Sequence, residues 1–122
     1  MHITRNGDGP TFGNLTEMIG RSSTTGGTDK LSIAQSSTSP GESGEWHYHS
    51  HTTEVYCILS GSGTLRVGRR KYTVNAGDTV MVASGELHSL SCPADADEPI
   101  VFLAICSPAW TPSDHHAVSN GN

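Results

Sequence analysis

Short β-prone runs, each stopped by a turn residue, recur along this chain and leave little room for helix. The run Thr53–Ser60 (TEVYCILS) is rich in β-branched and aromatic residues, which suit a pleated, half-buried surface. Gly61-Ser62-Gly63 follows as a turn, and TLRVG at 64–68 reads as its hairpin partner, with the basic Arg69-Arg70-Lys71 at a hairpin tip. RRKYTV starts the next strand, and Asn75-Ala76-Gly77-Asp78 closes it with a turn signal. TVMVA is a short apolar strand, Ser84-Gly85-Glu86 another turn, and LHSLSC runs out of it. Beyond the polar loop PADADEP, IVFLAIC is the last core strand. Upstream, LTEMIG and KLSIAQSS read as early strands. In the Ser, Thr and Gly-rich segment 20–44, the alternation of Leu31, Ile33 and Gln35 favours a strand flanked by loops. The pattern is that of an all-β sandwich or barrel.

The length of 122 residues predicts one domain, 1–122, with a core from about 14 to 107 and a polar tail, 108–122, that drapes over the body and frays at its end. A net charge of −5 argues against nucleic acid and anionic membranes as partners. No apolar run reaches the ~18 residues of a membrane span, and the N-terminal MHITRNGDGP lacks the apolar core of a signal segment. A cytoplasmic location is the expectation. Cys57, Cys92 and Cys106 are odd in number, form no C-x-x-C, and sit in apolar contexts, so they read as buried reduced thiols.

Against this background the stretch GEWHYHSHTTE places His47, His49 and His51 at alternating positions, five residues before and three before Glu54 in the case of the last two. On a strand these three imidazoles share one face, with neighbours roughly 6.6 Å apart. Two such rings can lean onto one ion at nitrogen–metal distances of roughly 2 Å. Glu54 has the opposite parity, so its joining them requires a bulge or turn, expected at SHTT, where His51 reads foremost as a solvated residue and otherwise as an alternative ligand or a group supporting one. His88, after the turn at Gly85, is a further histidine that a distant strand can bring in. Tyr56 and Ile58 share the parity of Glu54 and are expected to face the interior. His115 and His116 are expected at the surface, Trp110 to anchor the tail or cap the barrel mouth, and Arg66 to be a surface arginine or a holder of a substrate carboxylate.

The motifs resemble those of the cupin superfamily. Gly41, His47, His49, Glu54 and Gly61 fall on every fixed position of G-x5-H-x-H-x4-E-x6-G. Gly77, Gly85 and His88 match G-x5-P-x-G-x2-H-x3-N, with Ala83 replacing the proline and Cys92 the asparagine. The resemblance implies a double-stranded β-helix, or jelly-roll barrel, of about six to eight strands with a metal in its mouth. His47, His49, Glu54 and His88 are then the metal ligands by family position. Three nitrogens and a carboxylate oxygen suit one divalent transition metal, with Fe2+ favoured over Mn2+, Ni2+, Cu2+ or Zn2+.

By that resemblance the expected function is a metal-dependent enzyme acting on a small organic substrate, foremost a mononuclear non-haem dioxygenase. The alternatives are a redox-neutral isomerase, lyase or polyketide cyclase, with His51 or Tyr56 as the candidate catalytic base, and a non-catalytic sugar-like ligand binder. No His-x-Asp/Glu triad of the 2-oxoglutarate oxygenases is seen, so that cosubstrate is not expected. Homodimerisation through barrel strands is a further expectation by resemblance.

Overall fold

The computed structural model describes residues 1–119. Its strands, in chain order, are β1 (Thr11–Phe12), β2 (Leu15–Ile19), β3 (Ser32–Thr38), β4 (His47–Tyr48), β5 (Thr53–Ser60), β6 (Ser62–Val67), β7 (Arg70–Asn75), β8 (Thr79–Val82), β9 (His88–Ser91), β10 (Ile100–Ser107) and β11 (His116–Ala117). They form two antiparallel sheets, ordered β1-β2-β3-β10-β5-β8 and β11-β4-β9-β6-β7. This is the expected jelly-roll architecture. The strand number exceeds the expected six to eight because β1, β4 and β11 are two-residue pairings at or near sheet margins. Among the described residues no helix is long and apolar enough to cross a membrane.

Side-chain alternation decides which face of each strand meets the core. β10 buries every second residue: Ile100, Phe102, Ala104 and Cys106 point inward. β5 does the same with Glu54, Tyr56 and Ile58. These meet Leu65, Val74 and Leu90 from the opposite sheet in one cluster that also holds Cys92. Leu65 and Ile100 are 1% and 0% exposed, so roughly 1.5–3 kcal/mol of transfer free energy attaches to each of them. Cys92 and Cys106 are buried, Cys57 half-buried, and all three are free thiols.

The expected three-residue turn at 61–63 contracts to Gly61, because β6 pairs with β7 from Ser62 opposite Asn75 onward. Gly61 has φ +79°, and a Cβ there would stand 2.4 Å from the Pro99 carbonyl oxygen. Only glycine fits both the left-handed backbone and the close approach. The basic residues at 69–71 do not all sit at the tip: Arg70 and Lys71 already belong to β7, where both are exposed.

After β10 the chain drapes over the barrel, as expected of the tail. The Ala109 N–H donates to the Asp29 carbonyl at 3.0 Å and the Trp110 N–H to Ser32 Oγ at 2.9 Å. The strap then adds β11 alongside β4. The polar end expected to fray, residues 120–122, lies outside the described residues.

Candidate metal centre

His47 on β4 stands directly opposite His88 on β9, with ring centroids 4.3 Å apart. His49 lies just beyond the end of β4. Glu54 comes from the other sheet, near the start of β5, between Val82 of β8 and Cys106 of β10. All four side chains are buried, and one donor atom from each lies within 4.8 Å of all the others. Nε2 of His88, His49 and His47 stands 2.8, 3.2 and 3.8 Å from Glu54 Oε1. Donors about 2.0–2.1 Å from a common ion are themselves about 3–4 Å apart, so these separations suit one small cation.

The outer nitrogens fix the chemistry of the inner ones. His47 Nδ1 donates to the Glu45 carbonyl at 2.7 Å, His88 Nδ1 to the Glu86 carbonyl at 2.8 Å, and His49 Nδ1 to the Asp114 carbonyl at 3.0 Å. A carbonyl only accepts, so each Nδ1 carries the hydrogen. In the neutral ring Nε2 is then a bare lone pair. Three such lone pairs and a carboxylate oxygen facing one point repel each other unless a positive charge lies between them. Protonating every ring would crowd three cations around one anion. A single divalent ion answers the same demand with one centre, so the donor set fits a metal.

The carboxylate is held ionised. Burial pushes the Glu54 carboxyl up, but its contacts with His47, His49 and His88 outweigh burial and hold it well below the usual carboxylate range. Burial disfavours a charged His49, yet the hydrogen bond and negative charge of Glu54, together with the Asp114 carbonyl and charge, outweigh it and raise the pKa above the ordinary histidine value. The Tyr56 hydroxyl donates to Glu54 Oε1 at 3.2 Å. Burial and the neighbouring Glu54 charge push that phenol well above its ordinary pKa, so it stays a donor. Burial also raises the Cys106 thiol, which faces the same carboxylate.

Two turns deliver the ligands. The break in alternation falls at SHTT. There the Asp114 carboxylate accepts the backbone N–H groups of Ser50 at 2.9 Å, His51 at 3.1 Å and Thr52 at 3.1 Å. This turn takes His51 off the face that strict strand parity gives it and leaves it solvated at the bulge. The strand pairing ends at Tyr48, and His51 is exposed, bordering an outer groove with Arg21 and Pro108. The structure therefore does not bring His51 to the cluster, whereas it does bring Tyr56. The second turn precedes His88. Ala83, where the motif has proline, donates its N–H to Glu86 Oε1 at 2.8 Å, a bond that proline cannot make. Gly85 there has φ +86° and donates to the His49 carbonyl.

A cavity of about 320 Å³ opens on His47, His49, Glu54 and Tyr56. Its walls include Leu15, Leu90, Phe102 and Ala104, with Phe12, Trp110, Glu45 and His115 among the remainder. Trp110 thus both anchors the strap and borders the cavity. His115 and His116, expected at the surface, are half-buried instead, because β11 returns along β4. His115 stacks on His47 at 4.4 Å, accepts the Trp110 indole N–H at Nδ1, and donates from Nε2 to Glu45. His116 stacks on Tyr48. Arg66 lies over Trp46 outside the cavity, which leaves the foremost expectation of an ordinary surface arginine standing and gives no support to a carboxylate holder there. Asp114 and His115 escaped sequence reasoning. Asp114 is 63 residues from His51, and no local pattern ties the two together.

Residues 36–106 match the sequence profile of the cupin domain. An oxalate-binding protein of Thermotoga maritima is 35% identical over 66 residues, which span 54% of this chain and 53% of that protein, so the chain matches about half the length of this curated relative. A Klebsiella pneumoniae protein with a double-stranded β-helix domain superposes with a TM-score of 0.71 at 18% identity, covering 91% of this chain and 90% of that one. A Bacteroides fragilis cupin protein gives a TM-score of 0.60 at 24% identity, covering 74% and 79%. The profile match takes in β3 through most of β10, hence both turns and all four clustered side chains, and on that ground the chain belongs to the cupin domain family.

Proposed function

We propose that His47, His49, Glu54 and His88 hold one divalent transition metal, Fe2+ foremost, and that the protein is an enzyme of the mononuclear dioxygenase type acting on a small organic molecule in the adjoining cavity. One observation carries this reading: three imidazoles whose Nδ1–H groups are committed to backbone carbonyls aim their remaining nitrogens at one buried carboxylate. When bound, such an ion supplies Lewis acidity and, if redox-active, a means of using dioxygen. The chain's own residues do the rest. The three carbonyls orient the rings, Tyr56 holds Glu54 by its hydroxyl, and Leu90, Phe102 and Ala104 exclude water from the ligand's side of the cavity.

A redox-neutral isomerase, lyase or cyclase is the second reading, and a different observation favours it. The His115–Glu45 pair borders the cavity beside His47 and can hold or pass a proton at His115 Nε2. The similarity to an oxalate-binding protein supports a third, purely binding role. Metal analysis of protein purified without added metal, followed by oxygen uptake with ring-bearing substrates, separates the three. The first reading expects close to one metal per chain, lost in His88→Ala, and oxygen consumed with product. Turnover that persists after complete metal removal refutes it. Metal-dependent turnover without oxygen uptake selects the second.

A further inference from the structure

The walls of the cavity carry information about the ligand that the metal donors do not. None of the seven Lys and Arg residues lines it: Arg21 borders the outer groove near His51, and Arg66 and Lys71 border a groove around Trp46. With an ion holding the cluster's histidines neutral, the cavity's charged side chains are all carboxylates. Glu54 lies at the cluster, Glu17 accepts the Thr25 hydroxyl at 2.6 Å, and Glu45 pairs with His115. The rest of the wall is dominated by apolar groups, with Phe12 and Trp110 rings 6.2 Å apart.

A buried carboxylate needs a cationic partner or several donors, because stripping its water otherwise costs several kcal/mol, by about the amounts seen for unpaired buried charges. A divalent ion beside Glu54 leaves one net positive charge. That charge can meet one anionic oxygen. A second carboxylate too far along the ligand to share the ion would meet at best the Ser32, Ser36 and Thr38 hydroxyls or the Asn14 amide, beside Glu17 and Glu45, with no lysine or arginine to receive it. An apolar ring, by contrast, replaces water against Phe12, Phe102 and Trp110 at no such cost.

We infer that the cavity takes an apolar, ring-sized organic molecule carrying one metal-seeking oxygen and at most one negative charge, and that it rejects dicarboxylates whose second carboxylate cannot reach the ion. The inference rests on the metal centre proposed above for the single oxygen, while the selectivity belongs to the walls.

Calorimetric titration of the Zn(II)-loaded protein tests it with acetophenone and with two phthalate isomers, isophthalate and terephthalate, whose second carboxylate cannot reach the ion. The aryl ketone is expected to bind about ten-fold or more tighter than either dicarboxylate, the least effect expected of an unpartnered carboxylate. Phe12 is 54% exposed at the cavity edge, so Phe12→Arg adds a cation without opening the core. It is expected to narrow the ketone-to-isophthalate ratio by about ten-fold. A dicarboxylate that binds the wild-type protein as tightly as the ketone overturns the inference, and so does a ratio that Phe12→Arg leaves unchanged. If the protein retains no Zn(II), the metal-centre reading fails, and the same titrations on the metal-free chain decide the ligand class. Ketone binding with both dicarboxylates rejected supports it, and no ketone binding refutes it.

Discussion

Tyr56 lies two residues beyond Glu54 on the inward face of β5, and its ring is wedged edge-on between Phe102 and His88. Its hydroxyl serves the carboxylate and leaves no free base. Tyr56→Phe keeps both ring contacts and removes only the bond to Glu54. Metal affinity is expected to fall about 10–100-fold, the usual loss when a ligand's supporting partner goes, with the melting temperature of the metal-free protein little changed. Competition against a fluorescent chelator measures the first and calorimetry the second. His49 gives the pH dependence. Its pKa stands above the ordinary value, so below that raised value a proton occupies the place an ion needs in the metal-free protein. Metal affinity is therefore lowest in acid and rises as pH climbs through the raised His49 pKa, with about one proton released per ion bound. Glu54, held well below its usual range, stays ionised across that window and adds no slope. Metal titrations in buffers of different ionisation enthalpy count the proton. Release of none contradicts the assignment.

At the level of elements, the turn between β4 and β5 depends on the strap. The Asp114 carboxylate gathers three N–H donors of that turn while its carbonyl accepts from His49. Burial pushes the Asp114 carboxyl up, but the N–H groups of His51, Ser50 and Thr52 outweigh it and lower the pKa. A group with a lowered folded pKa stabilises above its unfolded value, about 3.9 for aspartate, and loses that contribution as pH falls through the folded value. Asp114→Asn is expected to cost roughly 2 kcal/mol near neutral pH, the order of a charge-assisted hydrogen bond, and to match the wild type once the pH is well below about 4. Urea melts at two pH values check it; equal losses at both contradict the account. The same turn shows where the sequence stops being informative. β5 and β10 were legible because alternation is a local property of the chain. A bulge with His51 solvated on it was legible too, but the Asp114 carboxylate that fixes it from a remote position was not. The two-residue strands β1 and β11 escaped, and β4 was read longer than it is, for a related reason: so short a pairing has no period of its own and exists only through its neighbours.

Taken whole, the molecule brings two sheets together so that one contributes His47 and His88 and the other Glu54, with His49 held at the boundary by the strap. The motif positions were legible as a list of residues, and their convergence needed the fold. Of the wall only Trp110 was legible, as a residue at the barrel mouth, since Phe12, Glu17 and Phe102 are scattered along the chain and meet it only in the cavity. Because the ion would bind the folded barrel and not the open chain, saturation at about a hundred times the dissociation constant should add about 2.7 kcal/mol to stability, read as a higher melting temperature that a chelator reverses. X-ray absorption at the metal edge of the loaded protein tests the central claim most directly. The account predicts a shell of nitrogen and oxygen with outer scattering from three imidazoles and none from sulfur; a metal that is not retained, a sulfur neighbour from Cys106, or a shell with fewer imidazoles would contradict it.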